Sequence, residues 1–138
     1  MKSFKLKVYE SDSVFLDLEC VSLVVPTMDG SYGILADHLN MIAAVVPGTM
    51  EYTPASDESL KKYAAVSNGM IKVENNTVLV LVESAEHPDE IDAHRAQLEA
   101  EQAKEEILQK RSIIEYRSAE AQLARAMNRL KVKGKYYR

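Results

Sequence analysis

Three arginines have the spacing that most suggests chemistry. Arg125 and Arg129 stand four residues apart, so on a helix they share one face. Arg95 lies thirty residues before Arg125 and three after Asp92. If these two segments fold back antiparallel, the three guanidiniums converge. Such a cluster suits a polyphosphate, because each guanidinium offers two hydrogen bonds in a fixed fork. The competing reading is salt bridging to Glu99, Glu90 or Asp92. His87, Glu90 and His94 are spaced to share one side of a helix, but no fourth ligand accompanies them. A solvated helix face accounts for them better, and no metal is expected. His38 sits in the otherwise apolar stretch from Tyr32 to Val46 with no catalytic partner beside it, so a hydrogen-bonded structural histidine is expected. Gly134-Lys135 is followed by Tyr136, which excludes a phosphate loop. The serines lack a triad context. No residue set supports an enzyme, and no catalytic residue or required cofactor is expected.

The elements that must position the arginines divide the chain near residue 85. Between Pro88 and Gly134 there are 45 residues without Gly or Pro. Helix interiors exclude Pro, and Gly costs about 1 kcal/mol there, so this run reads as helix. Pro88 suits a first helical position, with Asp89, Glu90 and Asp92 in the first turn. Ala93, Ala96, Ala100, Ala103 and Ile107 recur at helical steps, as do Tyr116, Ala119, Leu123, Ala126 and Leu130. Lys110-Arg111-Ser112 is the expected bend, yet it contains no strong breaker. The run either folds back on itself or stays extended over about 68 Å at ~1.5 Å per residue.

Residues 1–85 read as short strands. Phe4, Leu6 and Val8 alternate with Lys5, Lys7 and Tyr9. Val14 to Val25 is apolar, with Asp17 and Glu19 on one face, and Pro26 is expected to end it. Met28-Asp29-Gly30, Pro47-Gly48, Asn68-Gly69 and Glu74-Asn75-Asn76 mark turns. Thr77–Val82 is apolar without alternation, which predicts a strand covered on both faces. The sequence therefore predicts a β + α chain: an N-terminal β-sandwich over residues 1–85, then a C-terminal antiparallel two-helix hairpin over residues 86–138.

The net charge of −4 over 138 residues hides a segregation. Residues 1–85 carry a net −5, residues 86–106 a net −6 and residues 107–138 a net +7. An acidic helix before a basic one favours antiparallel pairing. The basic tail from Arg117 to Arg138 adjoins no continuous basic face, so nucleic acid is not an expected partner. No stretch approaches the ~20 apolar residues of a membrane span, and the N-terminus lacks a signal peptide's apolar core. The single Cys20 lies in an apolar run, which predicts buried packing and fits a reducing compartment.

PTMDGSYGILADHLNMIAAVVPG, residues 26–48, resembles the signature of the epsilon subunit family of bacterial F-type ATP synthases. Ser67-Asn68-Gly69-Met70 stands where that family has Gly-Gly-Phe. Ile91-Asp92-Ala93-His94-Arg95-Ala96 is similar to its [IL]-D-x-x-R-A segment, and Arg125-Ala126-Met127-Asn128-Arg129-Leu130 to its second-helix segment. The resemblance covers nearly the whole chain. It implies a non-catalytic rotor part at the cytoplasmic face of the cell membrane, peripheral and meeting the membrane only through the c-ring. The implied partners are the gamma subunit, the c-ring and the alpha/beta catalytic subunits.

The resemblance also implies residue roles. Met28, Asp29, Gly30, Ser31 and Tyr32 would approach the c-ring, with Ser31 standing where several relatives are acidic. An extended arm bearing Arg117, Arg125, Arg129, Lys131 and Lys133 would inhibit ATP hydrolysis. A folded hairpin would bind ATP as a regulatory ligand through Glu86, Ile91, Asp92, Arg95, Arg125 and Arg129. Gln102 replaces a further family arginine, which predicts weak or absent ATP affinity. A reading from another class is a stand-alone ATP-sensing helical hairpin.

Overall fold

In the computed structural model the structure describes residues 2–108 and 113–136. The chain divides into two units, residues 1–86 and 87–138.

The first unit contains nine strands: β1 (Phe4–Glu10), β2 (Ser13–Thr27), β3 (Gly30–Leu35), β4 (Met41–Val45), β5 (Gly48–Pro54), β6 (Lys62–Val66), β7 (Gly69–Glu74), β8 (Thr77–Val82) and β9 (Ala85–Glu86). They form one continuous sheet in the order β1-β8-β7-β4-β2-β5-β6-β9, with β3 beside β2. β2 also pairs with β1, so the sheet folds over on itself. Inward side chains of β1, β7 and β8 then share one core with those of β2, β3 and β5. Phe4, Leu6, Val8, Leu23, Ile71, Val80 and Tyr52 are buried there. Each such side chain stabilises the unit by about 1.5–3 kcal/mol relative to exposure. This is a β-sandwich, and the period-2 pattern of β1 is what directs Leu6 and Val8 inward. Cys20 is buried in it, and burial pushes its thiol up to about 12, so it remains a neutral packing group.

Two strand-level expectations change. β2 runs through Pro26 instead of ending there. Proline lacks an N–H, but its carbonyl still accepts from Val46 N–H at 3.1 Å, so the extended backbone continues. Asn68-Gly69 lies between strands that do not pair with each other: β6 pairs with β5 and β9, whereas β7 pairs with β4 and β8. The turn carries the chain between layers. Gly69 is required because a Cβ there would run into the Leu81 carbonyl oxygen and lie 2.7 Å from Val82 Cα. β8 is not covered on both faces either. Its burial alternates, and Leu81 remains 38 % exposed. Asn75 and Asn76, at φ 50° and 59°, close the β7–β8 hairpin in the left-handed geometry that Asn tolerates.

In the second unit Pro88–Glu90 forms a single 3₁₀ turn, not the start of the long helix. The first helix, α1 (Ala93–Leu108), begins later because Asp92 caps it. Asp92 Oδ1 accepts from Arg95 N–H at 3.0 Å, and its carbonyl accepts from Ala96 N–H at 2.9 Å. The second helix is α2 (Ile113–Tyr136). The expected bend at Lys110-Arg111-Ser112 lies outside the described residues. α2 starts where α1 has ended, and Arg129 of α2 returns to Glu99 of α1, so the helices run antiparallel. Ala96, Ala100, Ala103, Ala119, Ala126 and Val132 are buried along the seam. Small side chains let the helices approach closely but bury little area per turn.

The cap predicts a pH dependence. The Arg95 N–H bond holds the Asp92 carboxyl below the usual carboxylate range. A depressed folded value contributes stability above the ordinary pKa, and that contribution is lost as pH falls through the folded value. NMR shifts of Ala93–Ala96 should show the first turn of α1 fraying in acid. Asp92→Asn should keep the turn and remove this acid dependence, whereas Asp92→Ala should fray it at every pH.

Candidate functional site

Three features offer functional geometry: one face of the sandwich, one turn and the arginine cluster. The outward face of β4, β7, β8 and β1 carries an apolar row. Met70 stands opposite Leu81 and Ala44, and Leu81 stands beside Tyr9. The next outward row holds Ile42, Lys72, Leu79 and Lys7. Ile42, Met70 and Leu81 are 67 %, 37 % and 38 % exposed. Contiguous exposed apolar side chains of this kind mark interaction sites more often than decoration. At one end the row opens into a groove of about 510 Å³ lined by Tyr9, Glu10, Ser11, Asn68, Leu81 and Glu83. Its rim is tied down: Glu10 Oε2 accepts from Ala85 N–H at 2.8 Å, and Ser11 Oγ donates to the Glu83 carbonyl at 3.1 Å.

The β2–β3 turn holds the five residues expected to face the c-ring. Met28 is 79 % exposed at its tip. The Thr27 hydroxyl donates to the Gly30 carbonyl at 2.7 Å and accepts from Asp29 N–H at 3.3 Å. Gly30 takes φ +106°, open to glycine alone without strain. Asp29 and Ser31 are exposed, and Tyr32 leads back along β3. Tyr32 Oη lies 3.1 Å from His38 Nε2, while His38 Nδ1 lies 2.7 Å from the Leu39 carbonyl. A carbonyl only accepts, so Nδ1 carries the proton and Nε2 accepts from the tyrosine. His38 is a structural strut beside the turn.

In the hairpin, Arg95 and Arg129 both reach Glu99. Arg95 Nε donates to Oε1 at 3.1 Å, and Arg129 Nη1 donates to Oε2 at 3.1 Å. Arg125 lies one turn before Arg129 and is half-buried. Ile91 is buried, and its N–H bonds the Pro88 carbonyl. Asp92 is engaged as the cap of α1. Glu86 belongs to the first unit, pairing with Ala65 in the β6–β9 ladder. Of the basic residues assigned to an inhibitory arm, Arg117 and Lys131 are exposed, while Arg125, Arg129 and Lys133 are partly buried. Among the described residues no three His, Cys, Asp or Glu side chains gather as a metal site, and His87, Glu90 and His94 form no such group.

A family model described as the beta-sandwich domain of the ATP synthase delta/epsilon chain matches residues 3–88. A second, described as the long alpha-helix domain of the same chain, matches residues 89–134. The chain belongs to the ATP synthase delta/epsilon family.

Full-length relatives of this delta/epsilon chain include the ATP synthase epsilon chain of Caldanaerobacter subterraneus subsp. tengcongensis. It is 37 % identical, the match covering 98 % of this chain and 96 % of that one. The epsilon chain of Ruminococcus albus is also 37 % identical, over 98 % and 99 %. The fold is shared with a chain in the Euglena gracilis mitochondrial ATP synthase structure of OSCP, F1 and c-ring. There the TM-score is 0.78 at 20 % identity, over 91 % of this chain and 78 % of that one. A chain of the Tetrahymena thermophila mitochondrial ATP synthase central stalk and c-ring gives 0.73 at 15 % identity, over 96 % and 97 %.

Sequence reasoning about this delta/epsilon chain missed the Met70–Leu81 row and treated Glu99 only as a rival to the polyphosphate. The row did leave a signal. Thr77–Val82 is apolar at both parities, which is unusual for a strand with one solvated face.

Proposed function

We propose that this delta/epsilon chain is the non-catalytic epsilon subunit of the rotor of a bacterial F-type ATP synthase. It couples ion flow through the c-ring to rotation and ATP synthesis. The observation that carries this reading is the contiguous apolar row Ala44, Met70, Leu81 and Tyr9, part-exposed side by side on the outward face of β4, β7, β8 and β1. Such a face needs an apolar cover, and a gamma-subunit coiled coil supplies one. The Met28 tip of the β2–β3 turn is the contact for the c-ring. Among the described residues no helix is long and apolar enough to cross a membrane. In this reading the chain lies at the cytoplasmic face, peripheral, and meets the membrane only through the c-ring. A free-standing nucleotide-sensing hairpin would leave the apolar face without a use.

The α1–α2 hairpin is a brake on ATP hydrolysis. Its alanine seam buries little area, which favours opening of the arm, and the exposed Arg117 and Lys131 would then meet acidic loops of the alpha/beta ring. Arg95, Arg125 and Arg129 form a weak polyphosphate-binding element: ATP held there would favour the folded hairpin, with an affinity lowered by Gln102 in place of a further arginine. Two measurements test the whole. The purified chain should form a stable complex with a gamma subunit. Removing residues 87–138 from the assembled ATPase should raise hydrolysis several-fold. An unchanged rate after truncation would remove the brake and leave only the coupling role.

A further inference from the structure

Glu99 divides its two oxygens between two guanidiniums. The bond to Arg95 stays within α1, one turn away, and the bond to Arg129 crosses to α2. These bonds differ in shielding. The Arg95 side chain is 74 % exposed, that of Arg129 only 17 % and that of Glu99 42 %. An exposed i, i+4 pair contributes little, so the crossing bond matters more. It is also a tie that must break before α2 can leave α1.

Carboxylates and phosphates use the same donor fork of a guanidinium. The place that a polyphosphate would need, between Arg95 and Arg129, is filled by a side chain of the protein itself. We propose that Glu99 is a built-in anion: it closes the hairpin without any ligand and keeps polyphosphates off Arg95 and Arg129. The inference rests on the reading of these arginines as a polyphosphate element. It differs from that reading by making Glu99 the residue that sets affinity. A tethered carboxylate need not be drawn from solution, so an incoming ligand must first displace it from both guanidiniums. Neutralising Glu99 removes the rival and leaves the two guanidiniums with one negative charge fewer beside them.

The test is calorimetric titration of the full-length chain and its Glu99→Gln variant, with inorganic tripolyphosphate in one arm and MgATP in the other. Glutamine is a good helix former and nearly isosteric, so α1 should persist, which far-UV circular dichroism verifies. The variant should bind tripolyphosphate at least about tenfold more tightly than the wild type. Adding Arg129→Gln to the variant should abolish the gain. Equal binding by wild type and variant overturns the inference and leaves the arginine reading standing. Binding by neither overturns both. A gain for MgATP without one for tripolyphosphate overturns the claim that the seat reads phosphate charge. A gain that survives Arg129→Gln places the ligand elsewhere and overturns it as well. Should Glu99→Gln lose helical signal, Glu99→Asp keeps the charge on a shorter stem and should show a smaller gain of the same sign. No gain in that variant overturns the inference too. Assembly with gamma is read from co-purification, so none of these outcomes bears on membership of the rotor.

Discussion

Leu81→Asp should abolish capture of a gamma subunit while leaving the chain folded. Leu81 stands in the outward apolar row, flanked by Met70 and Tyr9. On docking, an aspartate there would be enclosed among apolar groups without a partner. Central truncations in interfaces cost about 2 kcal/mol or more, and a buried unpaired charge costs more still. That corresponds to at least about a 30-fold loss of affinity, at about 1.4 kcal/mol per tenfold. The folded chain tolerates the change because the position is part-exposed before docking, and the strand-propensity cost stays within about 1 kcal/mol. Leu60→Asp is the control. Leu60 is 42 % exposed but lies in the polar loop of residues 55–61, away from the row, and its change should leave gamma capture intact. Equal loss in both variants would show that general surface apolarity, not this face, drives assembly.

Gly69→Ala should destabilise the sandwich by about 2–4 kcal/mol, as overpacking against immovable backbone does. The added methyl meets the Leu81 carbonyl oxygen and Val82 Cα, both main-chain atoms of the neighbouring strand. A flexible side chain would swing aside. Here β7 and β8 must separate, and their ladder from Gly69↔Val82 to Glu74↔Thr77 is central to the sheet. Gly33→Ala is the comparison, because a Cβ there meets nothing within 4 Å. Its urea midpoint should match or slightly exceed that of the wild type, since alanine narrows the unfolded ensemble. If the two alanine variants unfold at the same midpoint, the close approach at Gly69 is not energetically significant.

These two positions also show where the sequence was readable and where it was not. Alternation in Phe4–Val8 specified a half-buried strand because one face is buried and the other wet. The Gly- and Pro-free run after Pro88 specified helix because propensity and apolar period agree. Asn68-Gly69 reads as a turn, but a turn dipeptide does not report which strands pair beyond it. The glycine answers to a long-range contact with Leu81 and Val82. The start of α1 slipped from Pro88 to Ala93 because Asp92 outcompetes the proline as the boundary. Glu99 could be recognised only as one acid among several. Its central role depends on the rotational phase of both helices across thirty residues, which no local window encodes. The apolar row was hidden for a related reason: its members come from β1, β4, β7 and β8, and only register places them side by side.

β2 belongs to both layers of the sandwich, and its fifteen residues end at the exposed Met28 turn. A force applied to that tip along the strand is therefore carried by ladders to β1, β3 and β5 together. Bonds loaded side by side yield only in concert, whereas a tip on a short edge strand would unzip bond after bond. Were that tip loaded in a turning assembly, as proposed above, such a body would act as a stiff lever and lose little of the stroke to elastic give.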